Sequence, residues 1–416
     1  MYAKGILHGF CFSADERQKK RIFACTLIPN AMFLLIFFAI VAAMLATDLL
    51  RYRRRRRRGE RGGGPLFAAK AILDLLPLLL FGAASGIDNT PTVMRIMMWF
   101  CWAWFLLQLP RFVCYLFRAL RLPRVGLAAG VLVAFALLYG AIWGRRDLRV
   151  EQVEICSARI PAAFDGYRVA FFSDLHLGAL VDTEGEVGGL VARINALQPD
   201  VVLFGGDLVN IRCSELDTAA QRLLRQIEAP VYSVLGNHDV GSYIRDTVAL
   251  PSAVSTQCLI GRQQAMGWHL LQDSTVYLHR GADSIALSGI TFDPAQKDRQ
   301  HHSRMPQCNT ADTYRGVPRE LFDITLVHLP QYWSQVTDCG YGDLTLSGHT
   351  HAMQLKLHFG RWRGWSPARL LYKEWSGRYD RDGRTLYITD GVGYVGYPMR
   401  IGAPPELTLF ILKLCE

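Results

Sequence analysis

The sequence predicts transmembrane helices at the N-terminal end followed by an α/β domain. Three observations carry this. Charge divides sharply, with 22 Lys/Arg against 7 Asp/Glu in residues 1–150 and 24 against 29 in residues 151–416. Four apolar runs fill the first stretch. Beyond Val150 the pattern turns to strand, loop, helix, strand. We therefore read 1–149 as a membrane domain and 150–416 as one folded domain of ordinary size.

The apolar runs lie at about 22–50 (NAMFLLIFFAIVAAMLA), 66–87 (AILDLLPLLLFGAASG), 96–117 (MMWFCWAWFLLQL) and 125–144 (AAGVLVAFALLYGAIWG). Each is close to the ~20 residues that cross a bilayer as a helix, the form that satisfies its own backbone. Lys70 and Asp74 stand one turn apart in the second run and are expected to pair there. The basic loops RYRRRRRR (Arg51–Arg58) with Arg61, and Arg118, Arg121 and Arg124, face the cytoplasm on the positive-inside rule. Both termini, and with them the C-terminal half, are then outside the cytoplasm in a multi-pass cell-membrane protein. The basic excess belongs to the membrane half, so nothing points to nucleic acid. Ten cysteines show no CxxC pair and fix no compartment.

In the second half, YRVAFFSDLHLG reads as a buried strand with a polar end, VGGLVARINALQPD as a helix and DVVLFGGDLVN as a strand. LDTAAQRLLRQIEAP then reads as a helix and VYSVLGNHD as a strand, giving a βαβαβ order with helices covering a sheet. ADSIALSGITFD, FDITLVHLP, GDLTLSGHTHAMQ, TLYITDGVGYVGYP and ELTLFILKL supply further strands. Five strands end in DLH, GGDLVN, GNHD, VHLP and SGHTH. Strand carboxyl ends are where open α/β sheets bind ligands, so these segments can form one site.

Asp174 and His176 are one residue apart, and on an extended segment both face one way. Asp207 can bridge two cations, Asn237 offers a neutral oxygen, and His328, His349 and His351 offer imidazoles. Mixed Asp/Asn/His ligation suits a catalytic pair of Mn, Fe or Zn ions rather than structural zinc or calcium. Two such ions ~4 Å apart clamp a phosphoryl oxygen and hold a deprotonated water for in-line attack on phosphorus. Gly205, Gly206, Gly236 and Gly348 adjoin these residues, and glycine permits positive φ and close backbone approach.

This series resembles the signature of the calcineurin-like metallophosphoesterases, D-x-H, G-D, G-N-H-[DE], H and G-H-x-H, across about residues 166–415. It is most similar to the membrane-attached bacterial subgroup. The resemblance implies a β-sandwich of two mixed sheets flanked by helices. It implies one metal on Asp174, His176, Asp207 and His351, and another on Asp207, Asn237, His328 and His349. His238 would be catalytic, giving a proton to the leaving oxygen or stabilising its charge. Two departures stand out. Asn210 occupies a position where phosphatase branches often carry an aspartate that pairs with the catalytic histidine. GHTHAMQ, with Ala352 and Met353, replaces the common GHTHGGQ.

The segment GRWRGWSPARLLYKEW (Gly360–Trp375) places Trp362, Trp365 and Trp375 among Arg361, Arg363, Arg369 and Lys373, a composition suited to a membrane interface. His301 and His302 sit in a polar loop and read as solvated. The function expected is metal-dependent hydrolysis of a phosphodiester or pyrophosphate, in a small molecule or in a lipid or envelope intermediate beside the bilayer. The competing class is a membrane sensor or scaffold that binds a phosphorylated ligand without turnover. The oligomeric state is left open.

Overall fold

The computed structural model describes residues 39–60, 63–84, 87–245, 251–295, 306–357 and 364–415. The first part of the run at 22–50, the histidines at 301 and 302, and Arg361, Trp362 and Arg363 lie outside the described residues. The chain divides into two compact units, residues 1–76 and 77–416.

In the first unit, helix α1 covers residues 39–57 and helix α2 (Gly64–Ala84) begins. The arginine run read as an inter-helix loop is helical through residue 57. Arginine is a good helix former, and its charge is favourable at a helix C-terminus. Lys70 reaches Asp48 on α1 at 3.4 Å, a partner on another helix that the one-turn spacing to Asp74 does not reveal. Tyr52 and Phe67 stack across the same pair at 5.1 Å.

The second unit opens with α3 (Pro91–Ala119) and α4 (Pro123–Tyr139). They form an antiparallel hairpin in which Gly130 of α4 meets the Pro110 carbonyl of α3 closely enough to leave no room for a side chain. Among the described residues, Pro91–Ala119 and Pro123–Gly144 are long and apolar enough to cross a membrane. The helix ends in a π-turn, Gly140–Gly144, and the chain enters β1 at Arg149.

Two six-stranded mixed sheets follow. The first has the order β1 (Arg149–Ser157), β12 (Glu406–Leu414), β2 (Arg168–Phe172), β3 (Val201–Phe204), β4 (Val231–Ser233) and β5 (His269–Leu270). Strands β2 to β5 are parallel; β12 runs antiparallel to β2 and parallel to β1. The second sheet has the order β10 (Gly377–Arg381), β11 (Arg384–Ile388), β9 (Leu344–Ser347), β8 (Asp323–Val327), β7 (Asp283–Ile290) and β6 (Ser274–Arg280). Helices α5 (Thr183–Ala196) and α6 (Thr218–Leu224) are the crossovers of the expected βαβαβ unit, and α7 (Ser252–Ala265) precedes β5.

Phe171, Leu203 and Phe410 of the first sheet meet Leu287, Ile324 and Leu346 of the second in one buried cluster. Each contributes about 1.5–3 kcal/mol by leaving water. This core holds the parallel strands of both sheets together, and their carboxyl ends carry the residues of the candidate site. Two disulfides lie in the same unit, Cys156–Cys415 and Cys213–Cys258. Chain separations of 259 and 45 residues explain why cysteine spacing did not disclose them.

Helix α4 is docked on this domain without a flexible joint. Arg400 N donates to the Gly140 carbonyl at 3.1 Å, and Gly144 lies against the Arg400 carbonyl, where a Cβ would clash. Arg145, buried just beyond, donates to Glu186 (2.6 Å) and Tyr394 Oη (3.2 Å). On the other side of the hairpin, Asn89 precedes α3 and donates to the Tyr243 carbonyl at 2.7 Å, while Arg212 donates to Asn89 Oδ1 at 2.9 Å.

Candidate metal centre

The ends of five strands bring the sequence-predicted residues together. Asp174 and His176 follow β2, Asp207 follows β3, Asn237 and His238 follow β4, His328 follows β8, and His349 and His351 follow β9. Asp174 and His176 do not lie on an extended segment; both are left-handed, with φ of 60° and 47°. The reason is local. Asp174 N donates to the Gly206 carbonyl and His176 N to the Asp207 carbonyl, at 2.9 and 3.1 Å, so this loop folds beside the next one. Of twelve non-glycine residues with positive φ among those described, five are candidate ligands of this centre and three more, Ala352, Met353 and Gln354, directly follow them, so the unusual backbone is concentrated at the site.

The glycines act mainly by allowing close approach. Gly206 alone of the four has positive φ, at 94°. A Cβ at Gly348 would overlap the Asp174 carboxylate.

Two groups of side chains share Asp207. In the first, His176 Nε2 and His351 Nε2 are 3.0 Å apart, His351 Nε2 is 3.4 Å from Asp174 Oδ1, and His176 Nε2 is 3.7 Å from Asp207 Oδ2. In the second, His328 Nε2 is 3.1 Å from Asp207 Oδ2 and 2.9 Å from Asn237 Oδ1, which is 2.9 Å from His349 Nδ1. These contacts have the lengths that ligands of one ion have with each other. Atoms ~2.1 Å from a common centre stand about 3.0 Å apart at right angles and about 3.4 Å apart at tetrahedral angles.

The donor set also fits a cation. His328 uses its Nδ1–H on the Gly205 carbonyl (2.8 Å), turning Nε2 inward. Asn237 donates its amide to Tyr243 Oη at 2.9 Å, turning its carbonyl oxygen inward. Carboxylate oxygens and imidazole lone pairs therefore converge on one another.

Electrostatics separate the members of the site. Burial, then the neighbouring His238, depresses His176 to about 3. Burial, then His176 and Arg400, holds His351 well below the ordinary imidazole value. Both are therefore in the neutral form that binds metal. Burial opposes charge on Asp207 and on His328. It is outweighed by their mutual attraction, which holds the carboxylate well below its usual range and pushes the imidazole up to about 9. Burial raises Asp174 to about 7 against the pull of His328.

His238 is half-buried beside these groups. Its backbone N–H donates to Asp207 Oδ1 at 2.9 Å, and its ring meets His176 edge to face at 4.7 Å. Its Nδ1–H donates to the backbone carbonyl of Asn210 at 2.6 Å. A main-chain oxygen thus orients this imidazole.

A family model for calcineurin-like phosphoesterases matches residues 167–353. The metallophosphoesterase YkuE of Bacillus subtilis is 31% identical over 294 residues, covering 68% of this chain and 94% of that protein. This chain is a calcineurin-like phosphoesterase. Two vertebrate relatives are described as transmembrane proteins with a metallophosphoesterase domain. The zebrafish protein is 31% identical over 68% of this chain, the bovine protein 29% over 69%, and the matches span 61% and 62% of those relatives.

This calcineurin-like phosphoesterase also uses residues that sequence reasoning missed. Asp239, quoted within GNHD without a role, accepts the N–H groups of Asp207, Leu208, Val209 and Gly236 at 2.7–3.1 Å. Glu215 accepts from Gly178, Asn210, Ile211 and Arg212. Arg400, fully buried, lies 3.3 Å from His351 Nδ1 and donates to the Gly393, Asp390 and Ala403 carbonyls. Tyr243 stacks on His238 at 4.5 Å, and Tyr372 Oη meets His349 Nε2 at 3.1 Å. The buried acid in the tetrapeptide GNHD was the one available signal; Arg400 and Tyr372 lie far from the motifs, and Glu215, five residues past GGDLVN, belongs to none of them.

Proposed function

We propose that the chain is a membrane-attached phosphoesterase that holds two divalent ions and hydrolyses a phosphodiester or pyrophosphate. The observation that carries this reading is the sharing of Asp207 between two groups of converging lone pairs. Asp174, His176, Asp207 and His351 would hold one ion; Asp207, Asn237, His328 and His349 would hold the other. When bound, such ions supply Lewis-acid polarisation of a phosphoryl oxygen and a water acidic enough to be a nucleophile at neutral pH.

The protein's own part is orientation and proton transfer. Asn210 fixes the His238 ring through Nδ1, directing Nε2 away from that bond and leaving it to hold a proton for the departing oxygen. Tyr243, stacked on His238, limits the ring's freedom to turn and helps exclude water. With Mn²⁺ supplied, Asp207→Asn and His238→Ala are each expected to lower hydrolysis of bis-p-nitrophenyl phosphate by on the order of 10²–10⁴-fold. Wild-type rates in both variants would overturn the mechanism.

We place the catalytic domain outside the cytoplasm. The arginines at 118, 121 and 124 stand at the opposite end of the α3–α4 hairpin from that domain, and two disulfides suit an oxidising compartment. A C-terminal alkaline phosphatase fusion should be active and a green fluorescent fusion dark; the reverse pattern would refute this orientation.

A further inference from the structure

The segment that follows the last two histidines is built onto the end of helix α4. Arg400 lies against Gly140 and Gly144, and the next residue, Ile401, donates its N–H to the Gln354 carbonyl at 2.9 Å and accepts from Lys356 N at 2.8 Å. Leu357 and Trp365 then exchange two backbone hydrogen bonds of 2.8 Å. Ser366 Oγ donates to the Ala352 carbonyl and Thr350 Oγ1 to the Trp375 carbonyl, both at 2.6 Å, which fastens residues 366–375 beside the candidate metal centre. Ala352 and Met353, the departure in GHTHAMQ, pack with Ala368, Leu371 and Tyr372 beneath it.

The outer surface of this assembly is apolar. Tyr139, Ile142 and Trp143 at the end of α4 are exposed, and so are Leu357, Trp365 and Leu370, the last by 68%. Exposed Arg369 and Lys373 flank Leu370. Large aromatic and aliphatic groups among cations, tied through Ile401 to the end of an apolar helix, match the chemistry of a headgroup layer.

We propose that residues 364–375, with the strand pair at Leu357 and Trp365, rest in the headgroup layer as a lipid-facing rim of the metal centre. The centre then takes phosphate esters carried on lipids, approaching from the bilayer past Tyr372. This rests on the reading that α3 and α4 cross a membrane. It is independent of turnover.

The test uses the full chain in nanodiscs of phosphatidylethanolamine and phosphatidylglycerol, with photoreactive p-benzoylphenylalanine in place of Leu370. A control carries it in place of Tyr277, exposed on edge strand β6. Lipid adducts, read by mass spectrometry, are expected to be on the order of tenfold more abundant at 370, as for a side chain inside rather than outside the interfacial layer. Equal yields at the two positions, or adducts at 370 only to a second protein chain, would overturn the rim. Alkaline carbonate extraction of the source membranes separates the two layers of the argument. An extracted chain defeats the membrane reading and the rim with it, whereas an embedded chain without lipid adducts at 370 defeats the rim alone.

Discussion

The two walls of the metal centre are built by different means. On one side, the loops after β2, β3 and β4 carry Asp174, His176, Asp207, Asn237 and His238, and two buried carboxylates pin them from behind. Asp239 collects four backbone N–H groups and Glu215 another four. On the other side, the segment after β9 has no such collecting carboxylate among the described residues and is held by bonds spread over several side chains, among them the pair Lys356–Asp390 at 2.8 Å. Thr350 and Ser366 bind backbone carbonyls, and Gln354 bonds the carbonyls of Tyr397 and Met399 and the N–H of Val395. The first wall cannot shift without unpairing several buried donors at once. The second exposes apolar side chains and rests on bonds dispersed over several residues, so no single side chain carries it.

The comparison breaks most directly at Asp239. Asp239→Ala leaves four backbone donors without their acceptor at about 1–3 kcal/mol each, reduced where water enters the gap. A stability loss of about 4 kcal/mol or more, with loss of bound metal, is expected in denaturant titration and metal analysis. A variant that melts and binds metal like the wild type would show that the first wall does not depend on this carboxylate.

Acidity sharpens the contrast next. Burial pushes the carboxyls of Asp174, Glu215, Asp239 and Glu406 up to about 7, helped in Asp239 by nearby Asp207 and in Glu406 by Asp390. Each binds its proton more tightly folded than unfolded. That stabilisation is complete below ordinary carboxylate values and is lost as pH rises through about 7. The metal-free chain should therefore melt several degrees lower at pH 8 than at pH 6. Divalent metal, which favours the deprotonated ligands, should reverse the trend. A metal-free melting temperature that climbs over this interval would contradict the assignment.

The smallest effect is expected on the second wall. Tyr372→Phe removes the hydroxyl at His349 Nε2. Losing such an outer partner weakens metal binding by about 10-fold, so hydrolysis should recover at high metal concentration. A fall in kcat that persists at saturating metal would instead place Tyr372 in the reaction itself.

Much of this was legible in the sequence where one strand end carries one motif. The strands ending in DLH, GGDLVN, GNHD, VHLP and SGHTH were readable because apolar runs stop at polar residues, and topology then places those ends together. The supports were not legible because their meaning depends on contacts across the fold. Arg400 is 49 residues from His351, Tyr372 is 23 residues from His349, and Cys156 pairs with a cysteine 259 positions away. Lys70 shows the same limit on a smaller scale, since helical spacing points to Asp74 and does not reveal Asp48 on the other helix. The Asn210 carbonyl, which orients His238, is a backbone atom, and no side-chain motif encodes it.

The contact of Gly140 and Gly144 with Arg400 has a kinetic consequence. Only Arg145–Leu148 separate the end of α4 from β1, and Arg145 is itself locked to Glu186 and Tyr394. A domain on a flexible linker searches a hemisphere of solvent. Under the proposal that α4 lies in a bilayer, this one would keep a fixed height and tilt and would meet membrane-borne partners by lateral diffusion in two dimensions. Encounter would then be governed by surface density rather than bulk concentration.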